Sequence, residues 1–191
     1  MNDILPASPA PSPPAAGHFN RTARVLHWSM ALGIFVMLFI GIGMVASLNL
    51  RPALVSLHRP LGIAILLLVI VRIVVRFSTR QPPLPADLPG WQVLAAKGSH
   101  LLLYALMLVL PLLGWAMISA AGDPVMLSSS LQLPSIVPAN AQVFAVLRKA
   151  HGYLAYLLFL TVLLHLAAAL FHGWVRRDEV LQSMLRGKDR G

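Results

Sequence analysis

His151-Gly152-Tyr153-Leu154-Ala155-Tyr156-Leu157-Leu158-Phe159-Leu160-Thr161-Val162-Leu163-Leu164-His165 is an apolar stretch closed at each end by a histidine. No Asp, Glu, Lys or Arg interrupts it. On an α-helix, a spacing of fourteen residues returns a side chain to within ~40° of its starting direction and carries it ~21 Å along the axis. The two imidazoles therefore face one side of a single helix, near the two surfaces of a hydrocarbon layer ~30 Å thick.

The rest of the chain agrees with a membrane setting. Of its 191 residues, 58% are hydrophobic and only 11% are charged. Four apolar runs predict helices over about 28–48, 58–77, 100–121 and 151–175. Peptide groups in lipid must bond within their own segment, and no alternating ten-residue pattern suggests a barrel. The fold expected is an all-α membrane protein, a four-transmembrane-helix bundle occupying residues 20–191. Residues 1–19, rich in Pro, Ala and Ser, read as a disordered tail and contain no apolar core for a cleavable signal peptide. His18, at the edge of that tail, has no specific role.

His27 and His58 open the first two apolar runs, which must run in opposite directions. One falls at each depth marked by His151 and His165. Two histidines at each of two depths is what a bundle needs to hold two haems, each ligated on both faces. His27 and His165 form the inner pair, His58 and His151 the outer pair. Each ligating ring is expected to donate its other N–H to a backbone carbonyl. His172, seven residues after His165, is an alternative inner ligand. It adjoins Gly173-Trp174 at the expected interface, and the deeper His165 is preferred. Cysteine is absent, which excludes thiolate-held clusters and covalent c-type attachment, so the haems would be b-type. A single non-haem metal fits poorly, because ligands ~21 Å apart cannot share one ion.

Charge sets the orientation. With the N-terminus cytoplasmic, Arg21, Arg24, Arg72, Arg76, Arg80, Lys97, Arg176, Arg177, Arg186, Lys188 and Arg190 lie inside, and Arg51, Arg59, Arg148 and Lys149 outside. That bias predicts both termini cytoplasmic. It also explains the net charge of +9 without a nucleic acid partner; the basic partner surface is lipid headgroups. All six acidic residues lie outside the apolar runs, so no intramembrane carboxylate suggests a proton or cation carrier.

Other residues attach to this frame. Gly41 lies fourteen residues after His27, where a missing side chain leaves room for a macrocycle or for close helix contact. Arg72 and Arg76 share the His58 face at the inner end, placed to snorkel or to pair with haem propionates. His100 opens helix 3 at the inner interface, within reach of a propionate or a quinone carbonyl. Pro60 reads as a first-turn proline of helix 2, and Pro111 as a kink in helix 3. Residues 122–150 form the longest outer segment, with a short interfacial helix over 141–148, and the tail from Val175 reads as a frayed amphipathic helix.

These residues carry a resemblance. Arg24-Val25-Leu26-His27-Trp28, His58 opening helix 2, Arg72 and Arg76 before a Pro-rich loop, and His151 with His165-Leu166-Ala167-Ala168-Ala169 are together similar to the bacterial cytochrome b561 family, over about residues 20–188. The resemblance implies a di-haem, quinone-linked electron-transfer protein of the bacterial inner membrane. One member type is a superoxide oxidase, which oxidises superoxide at the periplasmic face and reduces ubiquinone. Two axial histidines close the iron, which favours electron transfer over oxygen binding. Arg59, Arg148 and Lys149 flank the outer ligands, opposed only by Asp123. They are expected to draw a small anionic donor to the outer haem edge and to neutralise part of the propionate charge. The competing reading is a cytochrome b membrane-anchor subunit passing electrons between a dehydrogenase or hydrogenase partner and the quinone pool, although short outer loops offer such a partner little surface.

Overall fold

In a computed structural model of the chain, the residues described are 19–185 apart from 80, 81, 84, 86 and 129. Apart from Phe19, the tail expected over 1–19 lies outside them, as do Arg80, Arg186, Lys188 and Arg190.

Four long helices cross back and forth: α1 (Arg21–Ala46), α2 (Arg51–Ser78), α3 (Gly90–Ala120) and α4 (Ala141–Leu170). All four are long and apolar enough to span a membrane. At 26 to 31 residues they exceed the ~20 that cross a hydrocarbon core, so their ends project beyond it. We call the end that carries the start of α1 proximal, and the opposite end distal. A π-helical turn (Phe171–Arg176) closes α4, and a short helix α5 (Glu179–Leu185) follows.

Each helix starts earlier than its apolar run. Hydrophobicity marks where lipid begins, whereas caps mark where the helix begins. Asn20 Oδ1 accepts from the Ala23 N–H at 2.7 Å, and Asn140 Oδ1 accepts from Gln142 and Val143 at 3.0 Å. His27, His58 and His151 therefore sit about two to three turns inside their helices. The interfacial helix expected over 141–148 is the first part of a continuous α4. Pro60 is in the interior of α2, and it is Pro52 that takes the first-turn position.

The core is a single layer at mid-bundle: Met30 and Ile34 of α1, Ile65, Leu66 and Val69 of α2, Leu106, Met107 and Leu110 of α3, and Leu158 of α4. Most other large apolar side chains, such as Phe35, Phe39, Leu101 and Leu164, face outward, as lipid solvent permits. Helix α1 packs along α2, α2 along α3, and α3 along α4. Among the described residues, α4 shares no extended backbone seam with α1 or α2.

Both ends are tied down. Distally, residues 122–140 fold back over the bundle through a two-stranded antiparallel hairpin, β1 (Val125–Met126) and β2 (Gln132–Leu133). Trp115 Nε1 donates to the Pro134 carbonyl at 2.9 Å, and Ser119 Oγ accepts from Ile136 N at 3.2 Å. Proximally, Arg177 in the left-handed region (φ 54°) reverses the chain so that α5 packs back on the π-helical turn. Trp28 Nε1 then reaches the Met184 carbonyl at 3.2 Å. The tail read as a frayed helix is thus docked as far as Leu185.

Candidate functional site

Two histidine pairs bridge the gap between α4 and the two helices with which it shares no extended backbone seam. At the distal end, His58 of α2 faces His151 of α4, with ring centres 6.2 Å apart and planes at 66°. At the proximal end, His27 of α1 faces His165 of α4 at 6.4 Å and 61°. Two metal–imidazole bonds of about 2 Å, with about 1.1 Å from each nitrogen to its ring centre, place two axial rings about 6.2 Å apart. Both spacings fit one metal centre between each pair. Nδ1 of His58 and of His151 is shielded from solvent and has no hydrogen-bond partner. A buried imidazole nitrogen without a partner is costly, and a metal is one partner that satisfies it. Of the backbone partners expected for these rings, His151 has one in Leu110, and none is found at Nδ1 of His58.

Helix α3 shapes both sites. A Cβ on Gly114 would lie 3.4 Å from His151 Cε1, at the near edge of van der Waals contact, so a side chain larger than alanine would crowd that ring. Gly114 was missed in the sequence, although it stands fourteen residues after His100, the same spacing that singled out Gly41 after His27. Space at Gly41 is open within 4 Å. At the proximal end His100 comes 5.4 Å from His165, edge-on, so three imidazoles converge there.

Arg72 knits the proximal site. Its Nε donates to Tyr104 Oη at 3.0 Å, its Nη1 to the Ala23 carbonyl at 3.1 Å, and its Nη2 lies 3.2 Å from His27 Nδ1. A guanidinium only donates, so His27 Nδ1 accepts and Nε2 carries the ring proton. Ligation through Nε2 would move that proton to Nδ1 and turn Arg72 off the ring. Arg76 stacks over the Tyr104 ring at 5.7 Å. Tyr104 was also missed, although it lies four residues after His100 on the same helix face.

His172 stands elsewhere. Its Nδ1 lies 2.6 Å from Asp178 Oδ2, which also accepts from Arg176 Nε at 3.2 Å. Arg176 Nη2 reaches Asp87 at 2.6 Å. The ring brought to His27 is that of His165. At the distal end Arg148 and Lys149 are exposed along an open groove of about 410 Å³ with Phe144, Gly152, Tyr153 and Tyr156. On the continuous α4, Arg148 is turned ~60° from His151 and Lys149 ~160°. Arg59 is partly buried.

The chain is similar to known proteins over most of its length. The chain is 27% identical over 177 residues to cytochrome b561 homolog 1 of Escherichia coli, covering 87% of this chain and 96% of that protein. It is 32% identical over 139 residues to a protein of Yersinia pestis named probable superoxide oxidase CybB, covering 72% and 78%. It is 31% identical over 175 residues to cytochrome b562 of Cereibacter sphaeroides, covering 88% and 95%. The family described as prokaryotic cytochrome b561 matches residues 18–187, a range that holds all four paired histidines. With four apolar spans and imidazoles paired across the gaps beside α4, the chain belongs to the prokaryotic cytochrome b561 family, multi-pass bacterial membrane proteins of haem-based electron transfer.

Proposed function

We propose that the chain holds two b-type haems and passes electrons from superoxide at the periplasmic face to ubiquinone. The carrying observation is the pair of near-equal ring spacings, 6.4 Å and 6.2 Å, at the two ends of α4. Bound there, haem would supply reversible one-electron transfer at an iron with no open position. The chain's own part is to hold and bias it. His27 with His165, and His58 with His151, are the axial residues. Arg72, Arg76 and His100 surround the proximal site, where they serve propionate or quinone oxygens. The termini lie in the cytoplasm of a bacterial cell whose inner membrane holds the bundle, which makes the proximal end the inner one.

The superoxide reading is supported by the name of the Yersinia pestis relative and by the charge at the distal end. Arg59, Arg148 and Lys149 provide a positive field that gathers a small anion. In balance, two superoxide anions lose one electron each to give dioxygen, and one ubiquinone takes two electrons and two protons. Stopped-flow mixing of the oxidised, haem-loaded protein with superoxide should show haem reduction, and added ubiquinone should reoxidise it. Absence of reduction by superoxide, with ready reduction by ubiquinol or a dehydrogenase, would overturn the oxidase assignment.

A further inference from the structure

We propose that Arg24 and Arg59 are the propionate-binding residues, one for each haem, an assignment that rests on the two-haem reading above. Nε and Nη1 of Arg24, and Nε of Arg59, are shielded from solvent and have no hydrogen-bond partner. Neither residue has an ion pair among the described residues. A guanidinium cannot shed its proton, so each is a permanent cation whose inward nitrogens face an acceptor that the protein does not supply.

Their positions say which acceptor. Arg24 stands three residues before His27 on α1, one turn away and ~60° round the helix. Arg59 directly follows His58 on α2. Each unpartnered guanidinium thus accompanies one axial histidine, at one end of the bundle. Haem brings carboxylates to its own edge, and a guanidinium fork matches a carboxylate with two parallel bonds. Arg72 is the weaker choice, because Tyr104 and Ala23 hold two of its nitrogens even if it leaves His27. A lipid phosphate is the other anion at these depths. It would meet the outward face of the side chain, whereas the orphaned nitrogens are the shielded ones.

The test is redox titration of each haem in the purified, haem-loaded full chain. The haem-to-protein ratio of the unmodified chain is measured first; a ratio of one defeats the two-haem reading itself, before any arginine is changed. With two haems present, Arg24→Gln should lower the midpoint potential of the haem that survives His58→Ala. A cation beside a propionate favours the reduced, more negative haem, so its loss lowers the potential. Arg59→Gln should do the same for the haem that survives His27→Ala. In each case the other haem should not move, and the affected potential should become more pH-dependent as the freed propionate titrates. Arg24→Lys and Arg59→Lys keep the charge and should recover most of the shift, which separates charge from folding. Unchanged potentials with both haems bound would overturn the assignment, as would equal shifts of both haems from either variant. Shifts seen in vesicles containing phosphatidylglycerol but lost in lipid-free detergent micelles would also overturn it, in favour of a lipid phosphate.

Discussion

The rings of His27 and His165 stand 6.4 Å apart although their helices, α1 and α4, share no extended packing seam. Side chains that meet across a gap between backbones leave a slot flanked by two imidazoles. His58 and His151 repeat the relationship at the other end, between α2 and α4. Helix α4 is held to the bundle by its backbone seam with α3 and by Leu158 in the shared core layer.

Ligand substitution should divide the cofactor content. His58→Ala or His151→Ala should remove one haem of two, and His27→Ala or His165→Ala the other. His172→Ala should keep both, because its ring is engaged with Asp178. Pyridine haemochromogen assay against protein concentration reads the ratio. Loss of a haem in His172→Ala with retention in His165→Ala would reverse the proximal assignment.

Gly114→Val should act on the distal site alone. A Cβ there already touches His151 Cε1 at 3.4 Å, and the added methyl groups of a valine crowd the ring. Overpacking of this kind costs about 1–3 kcal/mol, which weakens binding by roughly 5- to 150-fold. The optical spectrum of the haem that survives His58→Ala should be unchanged in Gly114→Val.

The proximal clasp should be separable from electron transfer. A Cβ on Gly173 would run into the Leu181 side chain, so Gly173→Ala should loosen α5. Asp178→Ala should do so too, removing the contacts to His172 and Arg176 and the bond from Val180 N to Asp178 Oδ1 at 3.1 Å. Loss of a cap of this kind costs about 1 kcal/mol, with more from the lost charged contacts. Hydrogen exchange over residues 179–185 should accelerate, and Trp28 fluorescence should change as its bond to Met184 opens, with haem content intact.

Reduction by superoxide should slow with added salt and with Arg148→Glu more than Lys149→Glu. Both residues contribute to the long-range field, but Arg148 is turned ~60° from His151 and Lys149 ~160°. Steered association is worth roughly 10–10³ in rate, which stopped-flow can resolve. Equal slowing by the two variants would mean that total charge, not position beside His151, sets the rate.

A reporter fused after Gly191 should be active only on the cytoplasmic side, as the distribution of Lys and Arg predicts. A periplasmically active fusion would exchange the inner and outer sites.

What the sequence decided by itself was whatever depends on helical period and on lipid. Four spans, the shared face of His151 and His165, and the matching depths of His27 and His58 follow from 100° and 1.5 Å per residue. These are properties of one helix at a time, and lipid forbids irregular backbone across the spans. The glycine opposite His151 was legible by the same fourteen-residue rule but was not drawn. Helix ends were not legible from hydropathy, because polar caps such as Asn20 and Asn140 carry a helix past the apolar run. Tertiary structure alone decided what each polar group meets. It joined Arg72 to α1 and α3 together, drew His172 to Asp178 across the turn at Arg177, and left nitrogens of Arg24 and Arg59 shielded without partners. Such pairings depend on how neighbouring helices rotate and stand off from one another, and no periodicity within a single helix records that.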